Sequence, residues 1–286
     1  MANIHYSCNS DIAILMAVYN GAEYIEEQIK SILNQTANNW HLYVRDDGST
    51  DYTSKILHKY AKEYDCITII EDNLRNLGPK RNFMQLLSYV DATYYMFCDQ
   101  DDVWKRTKVE RSFSEMKNLE QRYSSKPILV FTNASVVDSN LNVIIDNYWS
   151  HIGLDINRMN NLCDYAIVSF APGCTMMFNN QTKMCSIPMK DNAIMHDWWI
   201  GVSVYLNNGI VYGINSQEIL YRKHGNNVTG DLSVPYTGCV NRIVRFFVEN
   251  KQRQRLLSSI GITYFDYWIH KMRLKHIRSA IKKNHM

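Results

Sequence analysis

Four apolar runs of strand length punctuate the first hundred residues, each followed by a stretch with helical spacing of its apolar positions. Ile12 to Val18 is continuously apolar and closes at Tyr19-Asn20-Gly21, after which Ile25, Ile29, Ile32 and Leu33 share one helical face. Trp40 to Arg45 leads through the turn Asp46-Asp47-Gly48-Ser49-Thr50-Asp51 to a helix bearing Ile56, Leu57, Tyr60 and Ala61. Cys66 to Ile70 passes through Asn73 to Gly78 into a helix with Phe83, Leu86 and Leu87. Tyr94 to Phe97 ends in an acidic turn, with a helix expected from about Trp104. This alternation predicts an α/β fold, a mostly parallel Rossmann-like sheet flanked by helices. After about residue 125 the order is less regular. Strands are expected at Ile128 to Phe131, Val143 to Ile145 and Thr175 to Phe178, and a helix from His196 whose apolar face includes Ile200, Val204 and Leu206. Ile210 to Tyr212 and Ile219 to Tyr221 read as a closing pair of strands.

In parallel sheets ligands bind beyond the carboxyl ends of the strands. Tyr19-Asn20, Asp46-Asp47, Asn73 to Asn76 and Asp99 to Asp102 all fall at such ends, so four distant segments are expected to meet in one crevice. Asp99, Asp101 and Asp102 place three carboxylates within four positions at the end of a buried strand, where like charges repel. A divalent cation relieves that repulsion, and Mg²⁺ typically takes one or two carboxylates together with substrate phosphate oxygens. A solvated acidic turn capping the next helix is the competing reading.

A hydrophobic fraction of 46% supports a sizeable core, enough for one such domain with an appendage. No apolar run approaches the ~18 residues that cross a bilayer, and the N-terminus lacks the order of a secretory signal. The seven cysteines show no paired zinc spacing, so a reducing, cytoplasmic location is expected. The net charge of +3 hides an asymmetry. Residues 241–286 carry eleven Lys and Arg against Glu249 and Asp266, leaving an acidic body ahead of a basic tail. The expected division is residues 1–230 as the catalytic domain and 231–286 as a basic amphipathic helical region. In that tail Phe246, Phe247, Leu256, Leu257, Ile260, Tyr264, Phe265, Trp268 and Ile269 interleave with Arg242, Arg245, Arg253, Arg255, Lys271 and Arg273. Such helices lie on anionic membrane surfaces, pack on a domain with a wet basic side, or do both. Nucleic-acid binding would use the same charges, but the acidic body argues against it.

Val18-Tyr19-Asn20-Gly21, Arg45-Asp46-Asp47-Gly48-Ser49-Thr50-Asp51 and Asp99-Gln100-Asp101-Asp102-Val103-Trp104, in this order, resemble the inverting, nucleotide-sugar-dependent glycosyltransferases of family 2, which have the GT-A fold. His196-Asp197-Trp198-Trp199 and Tyr221-Arg222-Lys223-His224-Gly225-Asn226-Asn227-Val228 look most like the rhamnosyltransferase-like branch. The resemblance covers roughly residues 10 to 230. It implies that Ala17, Tyr19, Asn20, Asp47, Arg81, Asn82 and Asp99 bind the nucleotide, with Tyr19 beside the base and Asp47 on its N3–H. Arg81 serves equally well as a solvated helix charge. The resemblance further implies that Asp101 ligates Mn²⁺ or Mg²⁺ and that His224 joins it from a closing loop, which otherwise reads as a surface turn. Arg222 and Lys223 are expected to counter diphosphate charge. Asp102 reads as an N-cap or a support. Asp197 matches the position of the family's catalytic base, although His196 replaces the acid usually found before it; a helix cap is the plain alternative. Gly173, His196, Trp198 and Trp199 are expected around the acceptor, with one Trp facing the core.

The implied function is transfer of a sugar, from dTDP-rhamnose or a UDP-hexose, to a hydroxyl of a free or lipid-linked saccharide acceptor. Bacterial surface polysaccharide assembly on the inner face of the plasma membrane is the expected setting. A nucleotidyltransferase would need a glycine-rich, basic triphosphate loop that Tyr19-Asn20-Gly21 does not supply. A glycosidase would need opposed carboxylates but no nucleotide pocket. A non-catalytic binding module of the same fold differs only in activity.

Overall fold

The four alternating units fold as β2 (Ile12–Val18) with α1 (Ile25–Leu33), β3 (Trp40–Asp46) with α2 (Thr53–Glu63), β4 (Ile67–Ile69) with α3 (Gly78–Tyr89), and β6 (Tyr94–Cys98) with α4 (Lys108–Arg122). These belong to a computed structural model that describes residues 6–8, 10–225 and 255–284. β1 (Tyr6–Ser7) and β5 (Val90–Asp91) form a separate two-stranded parallel ladder. Strands β4, β3, β2 and β6 lie side by side and parallel. β10 (Met176–Asn179) runs antiparallel between β6 and β8 (Ile128–Val137). β11 (Ile210–Arg222) then pairs parallel with β8, and the short β7 (Val103–Trp104) closes that edge antiparallel to β11. β9 (Val143–Ile145) is a side branch on β8.

Successive side chains of a strand point to opposite faces. In β2, Ala13 and Leu15 therefore join the core on one side of the sheet, while Ile12, Ile14, Met16 and Val18 join the core on the other. Burial on both faces is why this strand reads as an unbroken apolar run rather than an alternating one.

Two expectations about elements are corrected. The closing pair of strands is a single 13-residue strand, β11, whose register slips between Ile214 and Ile219, and that irregularity interrupts the apolar pattern. The helix expected from Trp104 begins at Lys108, because Val103 and Trp104 are drawn into β7 by Leu220 and Ile219. Among the described residues the second half also contains α5 (Tyr148–Ile152), α6 (Leu162–Val168), α7 (Asn180–Ser186) and the expected α8 (His196–Leu206), and residues 255–259 are helical ahead of the C-terminal helix.

The C-terminal helix α9 (Tyr264–Asn284) buries Tyr267, Leu274 and Ile277 in the same core as Leu15, and Leu256, Leu257, Ile260 and Ile262 join them there. The buried carboxylate of Asp164 on α6 pairs with His270, at 3.0 Å, and with Arg273. Gly153, at φ +69°, lets α9 approach closely, since a Cβ there would stand 2.9 Å from the Arg278 carbonyl oxygen. The described part of the basic region is thus packed on the domain. The expected boundary after residue 230, with Arg242, Arg245 and Arg253, lies outside the described residues.

Candidate active site

The carboxyl ends of β2, β3 and β6 form one edge, and side chains lock their loops together. Gln100, just past β6, accepts from the Tyr19 backbone N–H at 2.9 Å and donates to the Tyr19 carbonyl at 3.0 Å. Gly21 makes room for this clamp, because a Cβ there would fall 2.5 Å from the Gln100 side chain. Asn20 adopts φ +49° and joins the next loop, donating its N–H to Ser49 Oγ and accepting from Thr50 N–H through Oδ1. Asn is among the few residues that take this conformation readily. Tyr19 itself is 48% exposed at the rim, and Ala17 is half-buried near the end of β2.

Behind this rim stands Arg45, fully buried and, though part of a quoted motif, given no role from sequence alone. Its guanidinium reaches Asp47 at 2.9 Å, Asn82 Oδ1 at 2.8 Å, both Asp72 oxygens at 2.8 and 2.9 Å, and the Leu74 carbonyl at 2.7 Å. Burial works against its charge, but the hydrogen bonds it donates to Asp72 and Asp47 outweigh it and hold its pKa above the ordinary value. Asp47 accepts from Arg45 through one oxygen and from the Gly78 N–H, at 2.8 Å, through the other. A carboxylate offers about four lone-pair sites, so this pinned group keeps acceptor capacity for a ligand. Asn82 is held in the same network, whereas Arg81 is exposed on α3 without a hydrogen bond or ion pair among the described residues. The signal available in the sequence was the charge of Arg45 directly after the apolar Leu42-Tyr43-Val44.

The acidic loop sits between β6 and β7, and β7 ties it to β11. That pairing brings the end of β11 over the loop, so His224 Nε2 stands 2.8 Å from Asp101 Oδ2. His224 also lies against the Tyr24 ring, with centroids 4.9 Å apart. Asp102 is fully buried. Its Oδ1 accepts from the Arg222 N–H at 3.1 Å and its Oδ2 has no hydrogen-bond partner among the described residues, so it supports the loop and caps no helix. Burial, then Asp101, then Asp197 push the Asp99 carboxyl up to about 7, and burial with Asp101 and Asp99 raises Asp102 well above its usual range. Oxygens of Asp99 and Asp102 and the Cys174 sulfur all lie within 4.8 Å of one another.

These residues fit a divalent cation. Mutually repelling carboxylates and an orphaned buried oxygen form a site deficient in positive charge. Adjacent ligands of an octahedral ion bound at 2.0–2.1 Å stand about 2.9 Å apart, close to the Asp101–His224 separation. Arg222, expected to face a diphosphate, is instead buried and committed elsewhere. It donates to the Asp101 and Ser139 carbonyls and to Glu27, and its guanidinium covers the Tyr24 ring. Lys223 follows it, exposed, with its backbone N–H on the Val137 carbonyl.

Asp197 is half-buried in the first turn of α8, one residue inside the helix whose N-cap is Met195. Its Oδ1 accepts from the Trp198 N–H at 2.7 Å and its Oδ2 from the Gly173 N–H at 3.0 Å. Gly173 is buried in a 3-10 turn (Gly173–Thr175), and a Cβ there would stand 2.9 Å from His196 Nε2. The expectation for the two tryptophans is corrected. Both are buried, Trp198 with its indole N–H on the Ala166 carbonyl and Trp199 on that of Ser186, so neither presents a face to a sugar. The apolar spacing of α8 buries it nearly all round. His196 is likewise packed inward, stacked on Phe83 at 4.2 Å and edge-on to Phe97, with neither ring nitrogen hydrogen-bonded among the described residues. Burial lowers its pKa, so it forms a neutral floor beneath Asp197 rather than an acceptor ligand.

Residues 13–181 match the family described as Glycosyl transferase family 2. The dTDP-rhamnosyl transferase RfbG of Shigella flexneri is 30% identical over 226 residues, which span 75% of this chain and 73% of that protein. The UDP-Glc:alpha-D-GlcNAc-diphosphoundecaprenol beta-1,3-glucosyltransferase WfgD of Escherichia coli is 32% identical over 129 residues, 44% of this chain and 49% of its own. Among solved structures, the mannosyltransferase PcManGT of Pyrobaculum calidifontis, in complex with GDP-Man and Mn²⁺, matches with a TM-score of 0.62 at 13% identity, over 96% of this chain and 72% of that one. At that identity the likeness establishes the fold.

Proposed function

The chain belongs to glycosyl transferase family 2 and is a glycosyltransferase with the GT-A fold, and on that premise we propose that it is metal-dependent and inverting, with the site described above as its active site. The proposed donor is a nucleoside diphosphate sugar, dTDP-rhamnose ahead of a UDP-hexose, and the acceptor a hydroxyl of a lipid-linked saccharide in bacterial surface polysaccharide assembly. The activities named for RfbG and WfgD support that choice of donor and acceptor. One observation supports the reading: Gly173 donates to Asp197 at 3.0 Å while its neighbour Cys174 lies within 4.8 Å of oxygens of Asp99 and Asp102, so one short turn touches both the proposed base and the acidic loop.

The pinned Asp47 carboxylate would accept the base N3–H, with Tyr19 along the base, Asn20 and Ala17 shaping the strand end, and Asn82 behind. Asp99 would face the ribose. Asp101 and His224 would hold Mn²⁺ or Mg²⁺, which neutralises diphosphate charge when bound. Asp197 is anchored by two backbone N–H groups and keeps a lone pair on each oxygen. One of these takes the proton of the acceptor hydroxyl as that oxygen bonds to the anomeric carbon from the face opposite the leaving group. The nucleoside diphosphate departs with the electron pair of the broken bond, which inverts the anomer.

Calorimetry with UDP and dTDP tests the reading. Binding is expected with Mn²⁺, and both EDTA and Asp101→Ala should weaken it severely. Unchanged affinity in the variant would remove Asp101 from the metal site. Absence of binding by the wild type to either nucleotide would remove the donor assignment.

We further propose that α9 rests on an anionic membrane. Phe265, Ile269 and Met272, spaced i, i+4, i+7, are 73, 48 and 51% exposed, and α9 carries six Lys and Arg against Asp266. No helix among the described residues is long and apolar enough to cross a membrane.

A further inference from the structure

Helix α3 turns one face to the nucleotide segments and another to the start of α8. Gly78 and Asn82, four residues apart, share the first face. The Gly78 N–H donates to Asp47 at 2.8 Å, and Asn82 Oδ1 accepts at 2.8 Å from Arg45, which also donates to Asp47 at 2.9 Å. Lys80 and Phe83, three residues apart, share the second face. Lys80 Nζ donates to the Ala193 carbonyl at 3.0 Å, and the Phe83 ring stacks on His196 at 4.2 Å.

Both contacts of the second face fall within four residues of Asp197. Ala193 is buried two positions ahead of Met195, the N-cap of α8, and His196 directly precedes Asp197. Residues 187–195, which lead from α7 into α8, contain neither helix nor strand, so side-chain ties decide where they lie. Lys190 and Asn192 tie the middle of this segment to Ser259, at 2.9 and 3.2 Å, in exposed contacts. Lys80 ties its buried end to α3. The His196 ring has no hydrogen bond among the described residues, so its packing on Phe83 and Phe97 sets its place. Although Lys80 adjoins Arg81, its ammonium is turned to Ala193. Close-packed elements pass on small displacements rather than absorbing them, and a rigid helix with bonds on two faces is a physical route for coupling between them.

We propose that Lys80 and Phe83 are positioning residues for Asp197: α3, pinned to the nucleotide pocket through Asp47 and Arg45, holds the start of α8, so that a bound nucleotide steadies the catalytic base. This rests on the glycosyltransferase reading above and deepens it.

Hydrogen exchange of the full chain, read by mass spectrometry, tests the link. The Trp198 and Gly173 N–H groups both bond to the Asp197 carboxylate and report on its position. In the unliganded protein Lys80→Met should speed exchange in residues 193–200 and at Gly173 by about tenfold, and Lys80→Arg, which keeps a donor, should restore the slow rate. UDP or dTDP with Mn²⁺ should slow exchange at these amides about fivefold in the wild type and leave them unaffected in Lys80→Met, although calorimetry finds equal nucleotide affinity in both. In turnover, Lys80→Met should lower kcat about tenfold at unchanged donor KM. Unchanged exchange at 193–200 in unliganded Lys80→Met would overturn the proposal. So would a fall in nucleotide affinity, which would make Lys80 a donor ligand, or nucleotide protection that persists in the variant. If the wild type binds no nucleotide but Lys80→Met still frees the start of α8, the positioning role stands and the donor assignment fails.

Discussion

Asp197→Asn separates chemistry from architecture, because the two roles of this carboxylate carry different energies. In the native site each oxygen accepts one backbone N–H, from Trp198 and from Gly173. An amide can satisfy only one of them, and its NH₂ confronts the other donor. Leaving one buried donor unpaired costs about 1–3 kcal/mol. Losing an anion from the first helical turn adds roughly 0.3–1 kcal/mol. A total of about 2–3 kcal/mol lowers the melting temperature of a domain this size by about 4–12 °C and leaves it folded at 25 °C. Loss of general-base assistance costs far more in rate, ~10²–10⁴-fold, or about 3–5.5 kcal/mol of barrier. Nucleotide release from the donor, measured with and without acceptor, gives kcat; calorimetry gives nucleotide affinity; thermal melting gives the structural part. The expected pattern is a modest drop in melting temperature, unchanged nucleotide affinity and a steep fall in kcat. A similar drop in melting temperature with near-normal kcat would make Asp197 a structural acceptor for Gly173 and refute the assignment.

Arg45→Met should destabilise the domain by about 3–5 kcal/mol in denaturant titrations and abolish nucleotide binding, because Asp47 and Asp72 are left buried without their counter-charge; a loss under ~1 kcal/mol would contradict that account. His196 is buried neutral with a lowered pKa, so below the ordinary value of 6.5 the unfolded chain takes up a proton that the folded one refuses, and stability falls as pH drops from 7 to 5. His196→Leu should flatten that acid limb, by at most about 1.4 kcal/mol per pH unit, and an unchanged slope would place the sensitivity in another group. Replacing Phe265 and Ile269 together with Ser should reduce flotation with anionic liposomes while leaving nucleotide binding intact; equal flotation would leave the α9 stripe without a membrane role.

Much of this protein is legible without coordinates because local chemistry decides it. The continuous apolar β2, with Ala13 and Leu15 on one face and Ile12 and Ile14 on the other, announces a strand buried on both sides. Polar residues at strand ends announce a crevice, since the carboxyl edge of a parallel sheet is where backbone and side chains converge. Tertiary structure alone decides what depends on partners distant in sequence. Arg45 matters because Asp72 and Asn82 close around it, and nothing within its own strand specifies either. Arg222 looks like a diphosphate ligand until Glu27 and Tyr24 are seen to hold it inside. Trp198 and Trp199 read as sugar platforms next to Asp197, yet both indole N–H groups find carbonyls in the core. A side chain's type is written in the sequence, but its direction is set by which surface the rest of the fold presses against it.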